Sequence, residues 1–122
     1  MYKLFNMKKI PFIFICLLIA FQINAQWQKQ ISNTEASFRA VCAVTNKIVW
    51  IGGSQGTFLR TIDGGKTWEI KQVHGAETLD FRDVHAFNSQ TVILMSAGEA
   101  EKENANFYRT IDGGFGLLVG KG

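Results

Sequence analysis

Cysteine is nearly absent from this chain. There are two, Cys16 inside an opening apolar run and Cys42 alone in everything that follows. A single cysteine cannot close an internal disulfide or build a cysteine metal site. Cys42 alternates with Val41 and Ala43 in a strand-like stretch, which reads as a small buried residue. Histidine is as scarce: His74 and His85 have no ligand spacing around them, so no metal site is expected. No cluster of Lys and Arg interleaves with aromatics, and no segment has the Gly-rich pattern of a dinucleotide or phosphate loop followed by a helix. The longest apolar run, residues 10–21, is shorter than the roughly 20 residues needed to span a bilayer.

That run does have a context. Lys3, Lys8 and Lys9 precede it, and Gln22-Ile23-Asn24-Ala25 follows as a short polar exit ending on a small residue. This is the layout of a secretory signal peptide cleaved after Ala25. Residues 1–25 are therefore expected to form a signal helix, with contact to the membrane only during export. The remainder is expected in the periplasm or outside a bacterial cell. The full chain has 13 basic and 10 acidic residues. Three of the basic ones and none of the acidic ones lie in the leader, which leaves residues 26–122 with 10 of each. The basic isoelectric point belongs to the leader, and a nucleic-acid partner is excluded on charge.

Residues 26–122 contain a repeat. Thr61-Ile62-Asp63-Gly64-Gly65-Lys66-Thr67-Trp68 begins again at Thr110-Ile111-Asp112-Gly113-Gly114 and then breaks off into Phe115-Gly116-Leu117. Phe38-Arg39-Ala40-Val41 is matched by Phe81-Arg82-Asp83-Val84, and Phe58-Leu59-Arg60-Thr61 by Phe107-Tyr108-Arg109-Thr110. Phe38 to Phe81 is a step of 43 residues and Asp63 to Asp112 one of 49. The extra residues fall in the Glu- and Asn-rich stretch 98–106. Periods in the forties suit four-stranded units. Each unit reads as short strands between turn signals: 38–44, 48–51, 57–61 and 67–73 in the first, then 81–87, 91–96 and 107–111. Gly52-Gly53-Ser54-Gln55-Gly56 reads as a loop. The tail 115–122 loses the strand pattern.

The repeated phrase resembles the Asp-box, or bacterial neuraminidase repeat, with the pattern Ser/Thr-x-Asp-x-Gly-x-Thr-Trp. Thr61, Asp63, Gly65, Thr67 and Trp68 fill every fixed position, and Thr110, Asp112 and Gly114 fill the first part of a second copy. The residue types suit a tight turn: an Asp accepts N–H groups just after it, and Gly supplies positive φ. Together with Ala25-Gln26-Trp27, Ser37-Phe38-Arg39-Ala40-Val41 and the glycine stretch, residues 26–114 resemble the photosystem II assembly/stability factor-like proteins. That resemblance implies an all-β, partial β-propeller of about two four-stranded antiparallel blades, blade one over 38–73 and blade two over 81–114. Trp27-Gln28-Lys29-Gln30-Ile31 is similar to Trp68-Glu69-Ile70-Lys71-Gln72, and is expected to be a closing strand for a blade whose other strands lie elsewhere. A chain carrying only part of a propeller is the expectation.

No catalytic constellation emerges. Arg39 with Arg82, and Arg60 with Arg109, recur with the repeat, so they read as parts of the blade and not as a carboxylate-binding triad. A glycoside hydrolase needs two carboxylates across a cleft. Asp80 and Asp83 beside Arg82 read as a surface ion pair, and Glu99, Glu101 and Glu103 as a solvated loop. The reading is a scaffold with no catalytic residues and no cofactor, whose partner is a protein or a glycan. The alternative is a fragment of a sialidase-like or glycoside-hydrolase-like propeller enzyme lacking its catalytic blades.

Overall fold

The structure, a computed structural model, describes residues 27–98, 105–116 and, as backbone, 118–121. The expected signal helix and the glutamates of the inserted loop lie outside the described residues.

Among the described residues, eight strands form two sheets of the same design. β1 (Phe38–Ala43), β2 (Val49–Gly53), β3 (Thr57–Thr61) and β4 (Glu69–Gln72) pair antiparallel in sequence order. β5 (Phe81–Ala86), β6 (Val92–Ser96), β7 (Asn106–Thr110) and β8 (Leu118–Lys121) repeat the arrangement. Such meanders follow from short strands joined by tight turns. Thr45 Oγ1 takes the N–H groups of Lys47 and Ile48 in the first turn of blade one. Asn88 Oδ1 takes those of Gln90 and Thr91 in blade two.

The strand readings fall on these elements, with three differences. Gly52 and Gly53 belong to β2, where the sequence reads as a loop. Their glycine character serves packing: a Cβ on Gly52 would stand 2.7 Å from Val84 Cγ2 and 3.0 Å from Phe81 Cβ. The second difference is β8. Its residues have lost the blade pattern, yet the backbone pairs with β7 through Phe107↔Gly120 and Tyr108↔Val119. An outer strand is held by main-chain hydrogen bonds, which any non-proline residue supplies. The third is Trp27–Ile31, which carries no ladder. It runs past the first Asp-box turn, where Trp68 Nε1 donates to Gln30 Oε1 at 3.4 Å. Gln30 stands against Gly65 just as Lys71 stands against Gly114 one unit later. The segment thus lies where the outer strand of a preceding blade would lie, without the strands that would pair with it.

The core sits between the sheets. Blade one offers Trp50 and Phe58, both 0% exposed, and blade two offers Phe81, Val84, Val92, Leu94 and Tyr108. Trp50 stacks on Phe58 with ring centroids 6.1 Å apart, and Trp50 Nε1 donates to the carbonyl of Asn88 at 3.0 Å. Phe81 meets Tyr108 edge-on at 5.4 Å. The connection between blades is packed as well: Val73, Ala76 and Leu79 are buried, and the N–H of Gly56 reaches the carbonyl of Leu79 at 2.7 Å. The sheets approach through β1, β2 and β5, so the first strands lie innermost.

The outward faces are left open. Val41 and Ile70 on blade one, and Phe87 and Phe107 on blade two, are exposed. Repeat folds bury such faces only by stacking further units, about three at the least. The chain by itself is expected to be marginally stable and to associate as concentration rises. Light scattering checks this, and a concentration-independent monomer with a sharp cooperative melt is the contrary result.

Candidate functional site

Among the described residues, two kinds of polar cluster recur with the repeat. The first is the Asp-box turn. Asp63 Oδ1 accepts the N–H of Thr67 at 3.0 Å, and Asp63 Oδ2 accepts the Thr67 hydroxyl at 2.6 Å. Thr61 Oγ1 donates to Asp63 Oδ1 at 2.8 Å and accepts the N–H of Gly65 at 2.9 Å. Gly64 and Gly65 hold φ of 75° and 86°, which favours residues without Cβ. In the second turn Asp112 Oδ1 accepts the N–H groups of Phe115 and Gly116 at 2.9 and 3.0 Å, while Thr110 repeats the part of Thr61. Gly116 stands where Thr67 would, so only the hydroxyl bond is lost. The bonds to Thr67, first its hydroxyl and then its N–H, with that from Thr61, bring Asp63 down from 3.8 to about 2. The Gly116 N–H, with the Thr110 hydroxyl, does the same for Asp112.

These turns bind the chain to itself. Every acceptor oxygen of Asp63 is engaged within its own loop, and Gly113 and Gly114 face blade one. A Cβ on Gly113 would meet the guanidinium of Arg60, and one on Gly114 would lie 2.7 Å from Phe58. Lys71 Nζ donates to the Gly113 carbonyl at 2.9 Å and lies 3.6 Å above the Phe115 ring. Arg60 is 9% exposed. It donates to the Ser89 carbonyl at 2.5 Å, pairs with Glu69 at 2.6 Å, and lies over Trp50. It is a bridge between blades, in keeping with its recurrence.

Because both aspartates titrate lower in the folded chain than in the unfolded one, the folded state binds fewer protons in acid. Their stabilisation is complete above about pH 4 and is lost as pH falls toward about 2. A chain with Asp63→Asn and Asp112→Asn is expected to melt lower at neutral pH and to show a flatter decline between those values. Melting curves across the range check this, and an undiminished acid decline in the variant contradicts it. Asp63→Ala, which also removes the acceptor for Thr67, is expected to lower the midpoint further.

The second cluster lies on the first strands. In β1, Phe38 pairs with Gly53 and Ala40 with Gly52, leaving Arg39 as the extra residue of a bulge. In β5, Phe81 pairs with Ser96 and Asp83 with Met95, leaving Arg82 in the same position. A bulge re-aims its side chain out of the regular alternation. Both arginines reach Oδ2 of Asp80, Arg39 Nε at 3.8 Å and Arg82 Nη2 at 3.5 Å. One carboxylate is thus shared by two exposed guanidinium groups. Asp83 turns to its neighbour and accepts the Val84 N–H at 2.8 Å. Cys42 is half-buried between the blades, with the Ala86 N–H 3.3 Å from its Sγ. His85 is exposed and edge-on to Phe87, and His74 is exposed beside Glu77.

Of the two aspartates read as an ion pair with Arg82, Asp80 meets it while Asp83 turns to the Val84 N–H; the sequence reading misses that Arg39 comes to the same Asp80 oxygen. The signal was there. Phe38 and Val41 are three apart where alternation requires two, and so are Phe81 and Val84. A step of three between residues of one strand face marks an inserted residue.

Two blades, each with an Asp-box turn between its third and fourth strands and an arginine on its innermost strand, define a segment of a β-propeller. The chain belongs to the photosynthesis system II assembly factor YCF48 family, whose model matches residues 19–99. Among solved structures it is similar to one described as YCF48 bound to D1 peptide, with 21% identity over 76% of this chain and a TM-score of 0.61. It is also similar to YCF48 from Cyanidioschyzon merolae, with 22% identity over 78% of this chain and a TM-score of 0.59. The chain spans 28% and 30% of the lengths of those two proteins. No curated protein matches it.

Proposed function

We propose that this chain is part of an exported, non-catalytic propeller that binds an anionic segment of a protein partner at Arg39 and Arg82. The observation that carries the reading is the bulge, made twice, that turns one arginine per blade toward a single shared carboxylate. Contacts of 3.5 and 3.8 Å from two exposed arginines to a half-buried Asp80 are weak, since ion pairs at the surface contribute about 0–1 kcal/mol. An incoming carboxylate can replace Asp80 at small cost and make bidentate, charge-assisted bonds. One similar structure, YCF48 bound to D1 peptide, holds a peptide, which favours a polypeptide over a glycan as the ligand class.

The test is fluorescence anisotropy of a labelled peptide ending in a free carboxylate, against its C-terminal amide. The free acid is expected to bind more tightly by about tenfold, one charge-assisted contact, and to weaken as salt screens the site. Equal binding of acid and amide at all salt concentrations would count against the reading. Export rests on the leader: mass spectrometry of the secreted or periplasmic product is expected to find a new N-terminus at Gln26.

A further inference from the structure

The residue just before each bulged first strand differs between the two units. It is Ser37 before Phe38 and Asp80 before Phe81. The backbone frames match. Ala36 and Leu79, one residue earlier, are both buried. The Ser37 carbonyl accepts the Ser54 N–H at 2.9 Å, and the Asp80 carbonyl accepts the Ala97 N–H at 3.4 Å. Both side chains therefore leave the same corner of their blade, one as a hydroxyl and one as a carboxylate.

The carboxylate is the one that lies between Arg39 and Arg82, and its grip on them is poor. Both contacts go to Oδ2 alone, 3.8 Å from Arg39 Nε and 3.5 Å from Arg82 Nη2. A carboxylate that fixes a guanidinium does so through two short parallel bonds. Asp80 therefore fills the space between the arginines without orienting either. Its main chain cannot withdraw, because it is tied to Ala97 and the neighbouring Leu79 carbonyl takes the Gly56 N–H at 2.7 Å. Asp83, the other acid beside Arg82, accepts the Val84 N–H at 2.8 Å and makes no ion pair among the described residues.

We propose that Asp80 is a built-in competitor of the peptide carboxylate, a masking role that rests on Arg39 and Arg82 being the peptide site. A negative charge already beside the arginines lowers their attraction for a second one, and like charges brought together cost affinity. The residue before each bulge thus sets how open the arginines are: an acid masks them, and a hydroxyl leaves them open. Among the described residues Arg39 has one carboxylate neighbour, and an acid at position 37 would give it two. The mask also selects. A ligand that offers one long contact gains nothing over Asp80, whereas a carboxylate free to make bidentate bonds does.

Fluorescence anisotropy on the full chain tests this, with an N-terminally labelled alanine hexapeptide as the probe, free acid against C-terminal amide. Asp80→Asn and Asp80→Ser are expected to bind the free acid about fivefold more tightly than the parent, the equivalent of one surface ion pair. The gain is expected to fade as salt rises. Asp83→Asn removes the same charge nearby but keeps an acceptor for the Val84 N–H, and is expected to gain less than about twofold. Ser37→Asp is expected to weaken binding about fivefold. Melting midpoints of the same samples identify a variant whose fold, and not whose charge, has changed. Unchanged or weaker binding in both Asp80 variants, with the parent still preferring acid over amide, overturns the mask and leaves the peptide site standing. A gain for Asp83→Asn equal to that for Asp80→Asn also overturns it, since net charge alone would then account for both. No preference for the acid in any variant overturns the peptide site itself, and the mask with it.

Discussion

Replacing Trp50 with alanine is expected to leave the chain without a stable fold. Trp50 is 0% exposed and central to the contact between blades. Truncating a buried tryptophan costs about 3–5 kcal/mol. The loss has three parts here: the indole surface against Phe58, the bond from Nε1 to the Asn88 carbonyl, and the ring beneath the Arg60 guanidinium. Small domains have only about 5–15 kcal/mol in total, and this one also leaves two faces open. Proteolysis at low protein concentration is the direct readout, with Trp50→Phe as the comparison. The phenylalanine variant keeps most of the apolar surface and orphans one carbonyl, a cost of about 1–3 kcal/mol. Protease resistance of Trp50→Ala equal to that of the parent would mean that the blades do not depend on their shared core.

Gly52→Met is expected to have the next largest effect, about 3 kcal/mol or more, at the upper end of overpacking costs. It gives blade one the side chain that blade two has at Met95. The Cβ meets Val84 and the Cβ of Phe81, so the sheets must move apart and Trp50 is wetted. With Trp27→Phe and Trp68→Phe in the background, Trp50 is the sole fluorophore of three tryptophans, and its emission should shift to the red. An unshifted spectrum with an unchanged melting midpoint would show that the close approach at Gly52 is dispensable.

What was legible in the sequence depended on how far each residue's reason lies from it. The Asp-box was legible because Thr61, Asp63, Gly65 and Thr67 satisfy one another within a single turn, so their pattern is local. The strands were legible because tight turns and short β-branched or aromatic runs alternate along the chain. Gly52 and Gly53 were misread because their reason is Phe81, Val84 and the Ser37–Phe38 corner, distant in sequence or on another element. Two glycines beside Ser and Gln have the composition of a loop, and nothing local shows that a neighbouring blade lies against them. β8 was missed because its side chains do not follow the blade pattern while its main chain still pairs. Arg60 and Arg39 both recur in the repeat, yet one is buried as a bridge and the other is exposed beside Asp80. Recurrence alone does not separate a structural arginine from one available to a ligand. The spacing of three between Phe38 and Val41 does, since it marks the bulge at Arg39.

In the proposed division of labour, the Asp-box turns hold the blades and the bulge arginines would bind the peptide. Charge reversal at Arg39 and Arg82 separates these roles in one experiment, with peptide anisotropy and the melting midpoint read on the same sample. Arg39→Glu with Arg82→Glu is expected to abolish binding of the free-carboxylate peptide and leave the melting midpoint essentially where it was, because both side chains are exposed and their pairs with Asp80 are weak. Retained binding, or a midpoint that falls as far as it does for the Asp-box variants, would contradict the account.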